Sequence, residues 1–329
     1  MADVQQQFLE FNDTIRRADD DTKREKRNML VTELRARLPT SRPAFKEFNQ
    51  GSYAMHTNIV PIHSDDDIDV GLRFQDTADN IGCPVKLKED VRDAITHANR
   101  TVSIKRPCVT VQYYKNGEPD YHIDLAIYAV KNVDDHLELA IGKFGSPQTN
   151  RSWSKEDPLG VIETIKETQP KDSEERKQFR RCIRNLKRWR DEQYGNDDGP
   201  ISIALTAAAK HWFVPEVNLI TGNAKDLTAM YNWVTRIINE FRGDRLVVAH
   251  VGYPYNDLLE SMTDSAHQRF KKRLTDLKSE LHSADSDADP HSACTSLRAN
   301  AFGNDFPVPE KSETAERVAP AVITTGSSA

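Results

Sequence analysis

The sequence predicts an α+β fold: a mixed sheet with flanking helices, followed by a helical second half. Acidic and apolar residues alternate in Asp67-Ile68-Asp69-Val70 and again in Tyr121-His122-Ile123-Asp124-Leu125, the period of strands with one buried face. An Asn116-Gly117 pair joins two alternating apolar runs, the mark of an antiparallel hairpin. Beyond about residue 150 only helical spacing is found, so the two kinds of structure are segregated along the chain.

The elements follow in order. Val4, Phe8, Phe11 and Ile15 recur at spacings of three and four and predict a first helix. An acidic break at Asp19-Asp20-Asp21 precedes a second helix, with Met29, Leu30, Leu34 and Leu38 on its buried side and Pro39 and Pro43 ending it. Phe45 to Gln50 reads as a short strand leading into Gly51-Ser52, and Val70 to Phe74 extends the acidic strand. Lys86 to Asn99 is helical, and Val102 to Lys105, Val109 to Tyr113 and Tyr121 to Val130 are strands. Helices then start at Asp157-Pro158, span Ser173 to Tyr194, and follow at Ile201 to Phe213, Asp226 to Phe241, Thr263 to His282 and Asp289 to Ala301. From Pro307 to Ala329 there is no aromatic residue, so a disordered tail is expected there. The expected division is a core with N-terminal helices over 1–150, a helical lobe completing a cleft over 151–306, and the tail over 307–329.

At 329 residues the chain has room for more than one core, and its net charge of −6 and mean hydropathy of −0.68 are those of an ordinary water-soluble protein. No stable nucleic-acid binding is expected from that balance. Cys83, Cys108, Cys182 and Cys294 form no C-x-x-C pair, so a zinc site is not expected and a reducing compartment is. No signal-like or membrane-length apolar run occurs, so the expected location is the cytoplasm, without a membrane partner.

The chemistry sits in the acids. Asp67 and Asp69 point to one face of their strand while Ile68 turns inward, and Asp124 repeats the alternation on a second strand. Adjacent carboxylates repel unless cations lie between them, which points to a divalent-metal site. Gly51-Ser52 offers backbone N–H groups and a hydroxyl to phosphate oxygens. Together these are the parts needed to move a nucleotidyl group. One Mg²⁺ held by Asp67, Asp69 and Asp124 would activate a ribose hydroxyl. A second, held by Asp67, Asp69 and the triphosphate, would steady the departing pyrophosphate roughly 4 Å away. Most cations of the Arg176 to Arg190 helix read as a solvated face; Lys187 stands apart because Ser202 heads the next helix, where a triphosphate could meet both. His56, His63 and His122 read as surface or supporting groups, and Trp153, Trp189, Trp212 and Trp233 as packing residues.

Beyond the acids, several segments carry a family likeness. Gln50-Gly51-Ser52-Tyr53 with Asp67-Ile68-Asp69-Val70-Gly71, Tyr121 to Ala129, Trp153 to Pro158, Leu186 to Asp191, Gly199 to Ile203 and Ala301 to Asn304 together resemble the CD-NTase family, in its cGAS/bacterial cyclic GMP-AMP synthase branch. That resemblance implies a polymerase-β-like nucleotidyltransferase core beside a helical lobe, with the active site between them. It implies that Asp67, Asp69 and Asp124 bind two Mg²⁺ (or Mn²⁺) ions. It also implies that Gln50, Gly51 and Ser52 touch nucleotide, that Lys187 and Ser202 hold the triphosphate, and that Asp257 contacts base or ribose. Met55 stands where an aromatic nucleotide contact is found in the family, and no Cys/His thumb of the DNA-sensing animal type is present.

The implied activity is synthesis of a cyclic GMP-AMP-like dinucleotide from ATP and GTP in bacterial anti-phage signalling. Relatives encoded with ubiquitin-transfer-like enzymes are joined to targets through their C-termini, which gives the Thr325-Gly326-Ser327-Ser328-Ala329 end a second expected role. Two alternatives stay open on the residues: addition of nucleotides to RNA or protein, and a nucleotide-binding module without turnover.

Overall fold

The computed structural model describes residues 3–17, 21–62, 66–131, 136–195, 198–218 and 220–311. In chain order the first half runs α1 (Gln5–Ile15), α2 (Asp21–Arg37), β1 (Phe45–Asn49), α3 (Gly51–Ala54), β2 (Asp66–Thr77), α4 (Ala78–Ile81), α5 (Pro84–Ile95), β3 (Arg100–Ile104), β4 (Cys108–Lys115) and β5 (Glu118–Val130). Then come β6 (Leu137–Ile141), β7 (Ser152–Glu156), α6 (Pro158–Lys166), α7 (Glu174–Tyr194), α8 (Ser202–Trp212), α9 (Asp226–Asn239), α10 (Asp264–Ser286) and α11 (Pro290–Leu297), with a π-helical turn at Arg298–Phe302. The mixed sheet with flanking helices, beside a helical lobe, is the predicted class.

The strands form one sheet in the order β1-β2-β5-β4-β3. β2 and β5 are parallel, and all other pairs are antiparallel. β5 is long enough to pair β4 along its first part and β6 along Tyr128–Val130, and β6 carries β7. Asn116 and Gly117 make the expected hairpin turn with φ of 54° and 87°, the left-handed pair that a two-residue turn requires. Ile68, Val70, Leu72 and Phe74 of β2 and Ile123, Leu125 and Ile127 of β5 bury one sheet face against α2 and α5, through Leu30, Leu34, Leu87 and Val91. Strand alternation leaves Asp67, Asp69, His122 and Asp124 on the opposite face.

Helix starts are set by local hydrogen bonds. The side chains of Asp157, Ser173, Thr263 and Asp289 accept the N–H groups of Gly160, Arg176, Ala266 and His291 at the heads of α6, α7, α10 and α11. No described helix is long and apolar enough to cross a membrane.

The expected boundary at residue 150 is crossed twice. β7 belongs to the sheet although it follows that boundary. α1 belongs to the helical lobe although it begins the chain: Phe8 and Phe11 pack against Phe302 and Phe306, with ring centroids 5.0–5.9 Å apart. The second half is therefore not helical throughout, and only α2 of the two N-terminal helices covers the sheet. Met29, expected to be buried, is 63% exposed, and Val31 takes its place in the core. The start of the expected tail is packed: Val308 lies against the lobe's core and the Pro309 carbonyl is 2.7 Å from His291 Nδ1. The rest of that tail, from residue 312, lies outside the described residues, as does His63.

The basic α7 departs most from expectation. Arg181, Arg184 and Arg188 are buried rather than on a solvated face, and Lys187 is buried with them. Arg181 forks onto Asp226, with Nε to Oδ2 at 2.6 Å and Nη2 to Oδ1 at 3.0 Å, and its third nitrogen meets Glu174. Gln178 donates to the same Asp226 carboxylate, whose backbone N–H donates to Gln5 of α1. Removing the acid from this cluster strands a buried guanidinium. Asp226→Ala is expected to lower the unfolding free energy by about 3–5 kcal/mol, measured by urea denaturation against Asp264→Ala, whose carboxylate pairs with Arg245 at the surface.

Candidate active site

A cavity of about 710 Å³ lies between the acidic face of the sheet and helices α6, α7 and α8, within the roughly 300–1,000 Å³ usual for small-molecule sites. Gln50, Gly51, Ser52, Asp67, Asp69, Lys187 and Ser202 all line it. Seven of the residues singled out from the sequence, scattered over 150 positions, therefore meet at one opening.

The turn at Gly51 and the acid at Asp69 are built for each other. The Gln50 N–H donates to the Asp69 carbonyl at 3.1 Å, where β1 runs out beside β2. Gly51 has a φ of +63°, and a Cβ there would fall 1.9 Å from Asp69 Oδ2. Only glycine brings the backbone this close to the carboxylate. The Gln50 amide is turned to Tyr128 Oη, 2.8 Å away, so Tyr128 braces the segment from the sheet.

The parallel pairing places Asp69 opposite Asp124 and Asp67 opposite His122. Burial pushes the Asp69 carboxyl up to about 7, and the neighbouring Asp67 and Asp124 charges add to the rise while Lys187 opposes it. Lys187 is pushed down to about 8, chiefly by burial and then by Arg184, against the pull of Asp67 and Asp191. Its Nζ donates to the Thr57 carbonyl at 3.1 Å and lies 3.3 Å from Thr57 Oγ1. Arg184 and Arg188 donate in the same way to the carbonyls of His56 and Val60, at 2.7 and 2.8 Å. A row of α7 cations thus holds the segment linking α3 to β2.

Two expected site residues stand apart from the cavity wall. Asp124 is beside Asp69 in register but does not line the cavity; its Oδ1 accepts the Thr110 hydroxyl at 2.6 Å. Asp257, expected to contact nucleotide, does not line it either. Its Oδ1 instead accepts the N–H groups of Val248 and Leu259, at 3.0 and 2.9 Å, and so braces its own loop. His122 does line the cavity, although it read as a supporting group. So do Glu156, Arg190 and Asp191, which lie in segments with the family likeness but were given no role, and His250. Burial holds the half-buried Glu156 carboxyl above its usual range.

Among the described residues no three acidic, imidazole or thiol groups are placed so that they could hold a metal ion together. The donor set nevertheless fits a hard divalent cation. Asp67 and Asp69 present carboxylates on the cavity side, Asp124 adds a third in register, and the repulsion that raises Asp69 is what such a cation relieves.

A sheet with two parallel acid-bearing strands, a glycine turn at their head and a helical wall carrying Lys187 defines a nucleotidyltransferase domain. Residues 45–128 match the family model for the cyclic GMP-AMP synthase DncV-like nucleotidyltransferase domain. The matched segment contains all three acids, Asp67, Asp69 and Asp124. The fold is similar to that of Vibrio cholerae DncV cyclic AMP-GMP synthase, described as a prokaryotic cGAS homolog, at 20% identity and a TM-score of 0.62, over 80% of this chain and 70% of that one. It is similar to the GTP-bound form of DncV at 22% identity and a TM-score of 0.63, over 80% and 69%. A complex of the same synthase with the linear intermediate pppA(3′,5′)pG matches at 22% identity and a TM-score of 0.60, over 80% and 69%. Comparison with curated protein sequences gives no match.

The raised Asp69 carboxyl has a measurable consequence when divalent cations are removed by chelation. Because its folded pKa lies above the unfolded value of 3.8, the folded state binds the extra proton. Its stability must therefore fall as pH rises from about 4 to about 7, then level off. Asp69→Asn removes that penalty. The variant is expected to gain several degrees of thermal midpoint over the parent at pH 7.5 and none near pH 4, read by differential scanning fluorimetry in chelator.

Proposed function

We propose that the chain is a divalent-metal-dependent nucleotidyltransferase that joins ATP and GTP into a cyclic GMP-AMP-like dinucleotide, acting in the cytoplasm in bacterial anti-phage signalling. The observation that carries this is the meeting of Asp67 and Asp69 with Lys187 and Ser202 around one cavity, with Asp124 in register behind Asp69. The complexes of the V. cholerae synthase with GTP and with a linear dinucleotide support it by likeness of fold. Asp67, Asp69 and Asp124 would hold Mg²⁺ or Mn²⁺, which when bound supplies Lewis acidity toward the attacking hydroxyl and the leaving pyrophosphate.

The chain's own groups do the rest. Among the described residues the buried Lys187 ammonium is hydrogen-bonded to the carbonyl and hydroxyl oxygens of Thr57, so an incoming triphosphate would bring an anion into direct contact with it. Ser52 and Ser202 offer hydroxyl donors on either side of the same space. Met55, Ile59, Pro158 and Ile162 form apolar wall against which a base can lie. In the first step a ribose hydroxyl oxygen bonds to the α-phosphorus of the second triphosphate, its proton is lost, and pyrophosphate leaves. The linear product keeps one 5′-triphosphate, so after turning in the cavity it undergoes the same displacement to close the ring and release a second pyrophosphate. On the same proposal the Thr325–Ala329 end, outside the described residues, is the point of conjugation by a ubiquitin-transfer-like enzyme.

Purified chain incubated with ATP, GTP and Mg²⁺ is expected to release pyrophosphate and yield a phosphatase-resistant cyclic dinucleotide identified by mass spectrometry. Asp67→Ala, Asp69→Ala and Asp124→Ala should each lower turnover by on the order of a hundredfold or more, since the lost charge stabilisation amounts to several kcal/mol. Unchanged product from these variants, or label found only on added RNA, would defeat the proposal.

A further inference from the structure

Asp124 has a partner that the nucleotidyl chemistry above does not use. In the β4–β5 hairpin Thr110 pairs directly with Asp124, and Asp124 pairs with Asp69 across the parallel seam. Directly paired residues share a sheet face, so Thr110, Asp124 and Asp69 form one row across three strands. The row ends in a short hydrogen bond, 2.6 Å from Thr110 Oγ1 to Asp124 Oδ1, the length of a hydroxyl donating to a carboxylate. A hydroxyl has a single proton, and here it is committed to Asp124. Cys108, two residues back on the same face, lies with its Sγ 3.6 Å from Thr110 Oγ1 and is the remaining donor.

The register that creates this row is held from outside the row. Tyr114 and Lys115 pair with Pro119 and Glu118, but Tyr113 pairs with Tyr121, so Asp120 is an extra, unpaired residue in β5. Continued without that bulge, the pairing would set Asp124 against Val109, whose side chain is buried in the helix-covered core. At the other end of β4, the buried Lys88 ammonium donates to the carbonyls of Lys105, Arg106 and Gly142, at 3.3, 2.7 and 3.2 Å, fixing the β3–β4 turn from which the strand starts.

We infer that Thr110 is a positioning residue for the nucleotidyl transfer: its hydroxyl ties down one oxygen of Asp124 and leaves the other for the divalent cation shared with Asp69. The inference rests on the function proposed above, and its test separates the two. Thr110→Val keeps the branched shape and removes the donor, whereas Thr110→Ser keeps the donor. Mn²⁺ titration followed by electron paramagnetic resonance, without nucleotide, reads the metal site apart from turnover.

Thr110→Val is expected to weaken Mn²⁺ binding and lower kcat by about tenfold or more, the usual loss when the partner of a metal ligand is removed. KM for ATP and GTP should stay within about twofold, and Thr110→Ser should recover both losses. Wild-type Mn²⁺ affinity and kcat in Thr110→Val, with Asp124→Ala inactive, would overturn the positioning role alone. Equal impairment of the Ser and Val variants would do the same, since it would trace the loss to packing. Full turnover by Asp124→Ala would instead bring down the assignment of the acids.

Discussion

A buried cation without a facing carboxylate must find its counter-dipoles in the backbone, and this constraint organises the molecule. Arg184 and Lys187 of α7 lie in the interior and donate to the carbonyls of His56 and Thr57, while Arg188, which also pairs with Asp305 at 3.2 Å, reaches the Val60 carbonyl one turn further on. The segment they hold lies outside the strands and is tied to α1 by the short bridge between Arg16 and Ile59, so the donors of α7 and these carbonyls meet each other's needs. The consequence is positional: the same segment leads directly from α3, with Gly51 and Ser52, into β2, with Asp67 and Asp69. The helical lobe therefore sets the height of the acidic strand while supplying the ammonium that faces it.

The sheet supplies the complementary restraint. The parallel seam between β2 and β5 fixes which acid faces which, and the missing Cβ at Gly51 lets the chain pass within reach of the Asp69 carboxylate. Three negative groups and one buried positive group are thereby held close before any ligand arrives. Asp69 and Lys187 are both displaced from their ordinary titration ranges, as is common where charge is pre-placed for chemistry rather than for stability.

Much of this was legible in the residues. The alternation around Asp67 and Asp124 gave both strands and their solvent-side faces, and Asn116-Gly117 gave the hairpin. What escaped depends on contacts distant in sequence. β6 and β7 are five-residue strands whose pairing partners lie across loops, so no turn signal announces them. The Thr110 pairing depends on a bulge at Asp120, and a register one residue off would have exchanged the sheet faces. The α7 cations looked like a wet surface because charge in a helix is usually solvated, and only the packing of α1 and the 56–60 segment over them reverses that. Asp257 carried a family likeness, but its Oδ1 accepts two N–H groups of its own loop away from the cavity lining, a placement that only the fold around it decides.

The placement of α1 has a mechanical consequence. The chain begins in the helical lobe, passes to the sheet between α1 and α2, and returns between β7 and α6. Between β1 and β2 it also dips into the lobe, where Ala54, Met55 and Ile59 join the helical core. The bodies that flank the cavity are therefore stitched together by repeated crossings of the backbone, so a shift of one is passed to the other through the chain itself.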